Sequence, residues 1–322
     1  MDTATGRNGG ILPKFIIGVV LGVVVVAGFL LISDWRQVSG SIATMPKGPL
    51  LVAFLLTLMS YLFRLGKWHA FSRWSGFSVP FRKNAAIFFI GLMMSITPGK
   101  AGELIKSYYL KETSDIPYSA SIPVVFYDRL TDLLAMAALV AVGLLVYPFG
   151  ITPFLATVVL ISGFFFLAQR QGLMKKMIDL LTRPDRLRRF RGSLHHFYQQ
   201  TLYLMQFRIL SFAFVVSVLA WLSECIALFV ILGAFNQEVS ILASILTFSL
   251  GTLAGAVSMI PGGLGAAEGS ITGLLIHFGV GGSLAVSISL IVRFVTLWFG
   301  VLIGFVVFLF RRKAFRGTNI TV

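Results

Sequence analysis

The chain has 322 residues, of which 57% are hydrophobic and only 12% charged, with a mean hydropathy of +0.89. A soluble domain is roughly 25% charged, so a water-soluble globule and a disordered chain are both excluded, and the single cysteine, Cys225, excludes an intrachain disulfide scaffold. Lysine and arginine number 27 against 12 acids, a net charge of +15. A polytopic membrane protein remains.

A membrane-spanning helix needs about 20 mostly apolar residues. The first such run is 13–33. It is too long for a signal-peptide core, and Asp34-Trp35-Arg36 offers no small-residue cleavage site, so it reads as a retained span. Further spans are expected at 49–64, 121–146, 151–168, 209–235 and 283–310. Two regions, 85–110 and 241–279, are instead split into short apolar pieces. The first breaks at Pro98-Gly99-Lys100-Ala101-Gly102-Glu103 and the second at Pro261-Gly262-Gly263-Leu264-Gly265. Residues 169–208 form a basic amphipathic segment. Met174, Met177, Ile178 and Leu181 recur at helical spacing beside Lys175 and Lys176, Pro184 interrupts, and Leu194 to Met205 forms a second piece. Both pieces are expected to lie on the cytoplasmic leaflet, held by anionic lipid.

Lysine and arginine mark the cytoplasmic side. They concentrate in Arg170–Arg191, in the tail Arg311-Arg312-Lys313, and in a loop carrying Arg64, Lys67, Arg73, Arg82 and Lys83. Counting crossings puts both termini inside. Region 85–110 then starts and ends inside, and 241–279 starts and ends outside. A helix over 85–97 would be about 20 Å long, short of a ~30 Å hydrocarbon core, which favours re-entrant hairpins. A unit of span, hairpin and span thus occurs twice, at 49–146 and 209–310, joined by the span 151–168. The interval from Pro98 to Arg129 is 31 residues and that from Pro261 to Arg293 is 32. The expected fold is all-α, a single integral membrane domain of two inverted repeats with six full spans and two re-entrant hairpins. Inverted repeats with broken helices are a transporter signature.

Several motifs add a family resemblance. Thr97-Pro98-Gly99-Lys100-Ala101-Gly102-Glu103 is followed by Tyr127-Asp128-Arg129-Leu130-Thr131-Asp132, by Pro261-Gly262-Gly263-Leu264-Gly265-Ala266-Ala267-Glu268 and by Val292-Arg293-Phe294. In this order they resemble the lysylphosphatidylglycerol synthase transmembrane-region family over roughly residues 13–310. The resemblance implies a flippase-like activity on a phosphate-bearing, in the best-known case aminoacylated, glycerophospholipid. It also implies the plasma membrane of a bacterium or archaeon. The chain stops at Val322, so aminoacyl transfer from tRNA by a soluble synthase domain is not expected of it.

Ionisable groups within apolar runs are costly and mark either a structural ion pair or a polar pathway. Asp128, Arg129 and Asp132 lie in one such run. Arg129 and Asp132 are spaced to pair on one helix face, whereas Asp128 and Asp132 repel unless a cation lies between them or one is protonated. Glu224 and Arg293 lie near the middle of their own runs. Each of these residues reads either as a salt bridge or as part of a headgroup site. In the second case Arg129 and Arg293 would bind lipid phosphate through their guanidinium forks. Lys100 would add charge at the first tip, and Glu103 and Glu268 would cap the second half-helices or meet a headgroup amine. The leading expectation is a lipid translocator. The alternative is an intramembrane enzyme, or enzyme partner, acting on lipid headgroups or lipid-linked sugars, for which Asp128 with Asp132 is the one candidate acid/base pair. The chain has no G-x-x-x-x-G-K-[ST] loop. No cofactor, metal or nucleic acid is expected; the expected partners are anionic lipids, with a second copy or a separate synthase protein as further options.

Overall fold

The computed structural model describes residues 11–32, 35–97, 102–147, 170–184 and 188–316, together with 155, 159 and 163, and all regular structure among them is helical. Most of the expected linking span 151–168, and the tip residues Pro98, Gly99 and Lys100, lie outside the described residues. The helices are α1 (Ile11–Ile32), α2 (Trp35–Thr44), α3 (Lys47–Trp74), α4 (Phe81–Met93), α5 (Ile105–Ser114) and α6 (Tyr118–Leu144). After the linking region come α7 (Gln171–Leu181), α8 (Arg191–Leu204), α9 (Phe207–Ala234), α10 (Ile241–Val257) and α11 (Ala266–His277). The chain ends in α12 (Gly282–Arg293), a π-helical stretch (Phe294–Trp298) and α13 (Phe299–Arg316).

Three of these stretches are long and apolar enough to cross a membrane: Lys47–Trp74, Phe207–Ala234 and Gly282–Arg311. Their outward faces carry large exposed apolar side chains, such as Leu51, Leu55 and Leu62 on α3, Val215 on α9, and Leu302 and Leu309 on α13. Apolar surface of that extent is at home in lipid and not in water. Helix α3 corrects one sequence expectation. The basic loop was expected to begin near Arg64, but the helix continues for ten more residues to Trp74 and turns at Ser75 and Gly76. Arg64 and Lys67 are buried residues of that helix, because acids on other helices compensate their charge.

Helix α2, which the apolar pattern did not mark, packs on α12 and buries Val38. The two split regions fold as helix, break, helix: α4 packs on α5, and α10 packs on α11. The short helical turns at the breaks, Met94–Ile96 and Pro261–Gly263, touch each other. Only glycine fits at Gly263, with φ +66° and the Cα of Gly255 just 2.9 Å from where a β-carbon would sit. Helix α1 closes on the same region: a β-carbon on Gly22 would lie 2.3 Å from the Trp298 ring.

Two apolar clusters lie at different levels of the bundle. One includes Trp68, Phe71, Val124, Tyr127 and Ala213. The other includes Ala53, Ala135, Leu139, Trp221 and Val292. Along α6 and α9 the switch between clusters falls at Asp128–Asp132 and at Ser217. A polar layer therefore sits between two apolar ones. The amphipathic segment differs in part from expectation: α8 packs on α6 and buries Tyr198 and Leu204, so it docks on protein, whereas α7 leaves Leu173, Met177, Leu180 and Leu181 exposed.

Candidate functional site

The polar layer is built from helical spacing. On α3, Ser60, Arg64 and Lys67 share one face; on α9, Ser217, Trp221 and Glu224 do the same, since residues three and four apart stack on a helix. The two faces meet with opposite polarity. Ser60 donates to Glu224 Oε1 at 2.8 Å, the Arg64 guanidinium lies over the Trp221 ring at 5.3 Å, and Lys67 Nζ donates to Ser217 Oγ at 2.8 Å. Helices α3 and α9 are therefore antiparallel in this layer.

Helix α6 supplies the acids. Lys67 Nζ is 2.6 Å from Asp132 Oδ1 and 3.1 Å from Asp128 Oδ1, and so is the cation that lets those two carboxylates share one face. Lys106 of α5 lies 3.2 Å from Asp128 Oδ2 and 3.0 Å from Glu103 Oε2, over the Trp68 ring. Arg129 spans three carboxylates: Asp128 at 2.7 Å, Glu103 at 3.1 Å and Asp132 at 3.2 Å. The second split region has its own pair. Arg293 Nε donates to Glu268 Oε1 at 2.7 Å and Nη2 to the Gly262 carbonyl at 2.7 Å, while Gly265 N–H donates to Glu268 Oε2 at 2.6 Å. Glu268 thus caps α11 and anchors Arg293 together, which ties α12 to the Pro261–Gly263 turn.

A cavity of about 180 Å³ opens beside these groups. Arg64, Arg129 and Arg293 face it, as do Asp132 and Glu224, and its wall includes Gly262 and Gly263 from one break and Ser95 from the other. Nine charged side chains are buried among the described residues, and all belong to this layer: Arg64, Lys67, Lys106 and Arg293, with Glu103, Asp128, Asp132, Glu224 and Glu268. Arg129, 20% exposed, brings the two signs to five each. The remainder of the chain, 22 basic residues (27 less 5) and 7 acidic (12 less 5), carries the whole +15.

The model of the lysylphosphatidylglycerol synthase TM region matches residues 19–304. The chain belongs to that family. Its curated relatives include a UPF0104 membrane protein of Methanothermobacter thermautotrophicus, 26% identical over 306 residues, covering 87% of this chain and 90% of that protein. A UPF0104 membrane protein of Pyrococcus horikoshii is 23% identical over 326 residues, covering 92% and 96%. The matched span contains every buried charged residue just described, so the polar layer is part of the family region.

Of the residues singled out from the sequence, Glu103, Asp128, Arg129 and Asp132 come together in one network, and Glu268, Arg293, Gly262 and Gly265 in another. Glu224 joins the first through α3, at the cavity wall. Gly102 closes the first break differently from a phosphate cradle: its N–H donates to Thr97 Oγ1 at 2.7 Å. Pro98, Gly99 and Lys100 lie outside the described residues. Sequence reading missed Arg64, Lys67 and Lys106, and with them Ser60 and Ser217. The signal was there: Thr57, Ser60, Arg64 and Lys67 repeat at helical spacing and continue the apolar run beyond its apparent end.

Proposed function

We propose that this membrane protein translocates lipids, passing a phosphate-bearing glycerophospholipid headgroup between leaflets through the central cavity. The observation that carries the reading is that cavity, faced by three arginines and two carboxylates within an otherwise apolar helical body. Its volume is below the ~300–1,000 Å³ of pockets that enclose a whole small molecule, so it suits a headgroup whose acyl chains stay in the bilayer. Membership of the family supports a lipid-related role. The antiparallel meeting of α3 and α9, each 28 residues long, supports two inverted units of span, hairpin and span, and the reading keeps six spans with both termini cytoplasmic. In this reading Arg129, Arg293, Asp132 and Glu224 line the path, Asp128, Glu103 and Glu268 hold the arginines in place, and Lys100 guards the first tip.

The alternative of headgroup chemistry fares less well. Its candidate acid/base pair, Asp128 with Asp132, is clamped by Lys67, Lys106 and Arg129, which holds both carboxylates as counter-ions.

The test is reconstitution of the purified protein in liposomes carrying acyl-labelled phosphatidylglycerol, with leaflet exposure followed over time. The expected outcome is exchange between leaflets faster than in protein-free liposomes, with the headgroup mass unchanged. No acceleration for any phospholipid, beside a working scramblase control, overturns the proposal; an altered headgroup mass supports the enzyme reading.

A further inference from the structure

We infer that Arg64 is the residue that binds lipid phosphate in the cavity. The inference rests on the translocator reading and assigns its ligand contact.

The other cations are already engaged. Arg129 has an Nε without a hydrogen-bond partner but lies within 3.2 Å of three carboxylates, and Arg293 is taken by Glu268 and the Gly262 carbonyl. Lys67 and Lys106 are buried in ion pairs with Asp128, Asp132 and Glu103. Arg64 differs. Its nearest acid atom, Asp132 Oδ2, is 3.9 Å from Nε, and that carboxylate is already served by Lys67, Arg129 and Ser217. Arg64 Nε is buried without a hydrogen-bond partner, and its guanidinium makes no hydrogen bond to any described residue. The side chain is 6% exposed and faces the cavity. The Trp221 ring, 5.3 Å from the guanidinium carbon, gives it a cation–π contact that holds it beside the cavity. A buried, oriented guanidinium with open N–H groups is a bidentate phosphate donor. Thr252 also lines the cavity, and its Oγ1 is buried without a hydrogen-bond partner, which makes it a second donor.

Binding of dihexanoyl phosphatidylglycerol to the purified full-length protein in detergent, followed by calorimetry, tests the contact. Arg64→Gln should weaken binding by about tenfold or more. Arg64→Lys keeps the charge but not the fork and should fall between. Wild-type binding by Arg64→Gln would overturn the contact. Should Arg64→Gln fail to fold, Arg64→Lys decides, and wild-type affinity in that variant would overturn the contact. Wild-type translocation with unchanged Arg64→Gln binding defeats the assignment alone, whereas neither binding nor translocation by the wild-type protein defeats the translocator reading with it.

Discussion

At the residue scale, the polar layer depends on Lys67. It is fully buried, touches two carboxylates, and reaches Thr131 and Ser217 as well. Burying charge is costly, and the network repays that only while complete; removing one partner strands the rest. Lys67→Met should therefore destabilise the protein by about 3–5 kcal/mol. Arg73→Met, at the exposed end of the same helix, should stay within about 0.5 kcal/mol of the wild-type protein. Chemical unfolding in detergent measures both, and equal stability of the two variants would contradict the network's role. The acids of this layer were legible in the sequence because acids are rare in apolar runs. Their cations showed only as a helical spacing of polar residues, not as ion-pair partners. Lys67 and Arg64 stand next to Arg73, Arg82 and Lys83, and a basic cluster at the end of an apolar run reads as a cytoplasmic loop. Their partners lie on α6, more than 60 positions away, a distance that no local pattern spans.

At the element scale, the breaks at Pro-Gly were visible as interruptions of apolar runs, since proline and glycine punctuate helices for steric reasons. That the breaks touch each other, and that α1 closes over them, depends on tertiary packing, which periodicity does not encode. The amphipathic segment was half legible: its helices were, but the docking of α8 on α6 was not. A side-chain staple joins α7 to α8, where Asp179 lies 3.1 Å from His195 Nε2 and 2.8 Å from Arg191 Nη2. The hydrogen bond from His195, and then the Arg191 charge, hold the Asp179 carboxyl below its ordinary value. A carboxyl lowered in the folded state stabilises the contact above the ordinary carboxylate range, and that contribution is lost as pH falls through the lowered value. Spin labels placed through Leu173→Cys and Gln199→Cys should give a narrow distance distribution near neutral pH that broadens in acid. Asp179→Asn should be broad throughout. A distribution insensitive to both acid and Asp179→Asn would contradict the staple.

At the scale of the whole molecule, charge is segregated. The interior holds five cations and five anions around one cavity, and the net +15 is carried by the rest of the chain, where basic side chains suit an anionic membrane surface. Exposed apolar faces surround the neutral core, and on the translocator reading a lipid would keep its chains outside while its headgroup is matched within. The most direct test is photo-crosslinking of phosphatidylglycerol bearing a diazirine on its headgroup, in proteoliposomes, with mapping by peptide mass spectrometry. The account predicts crosslinks on the cavity wall, at Arg64 and Trp221 and on α10 between Thr252 and Ala256. Crosslinks confined to the outward faces, at Leu51, Leu55 and Leu62, would contradict it.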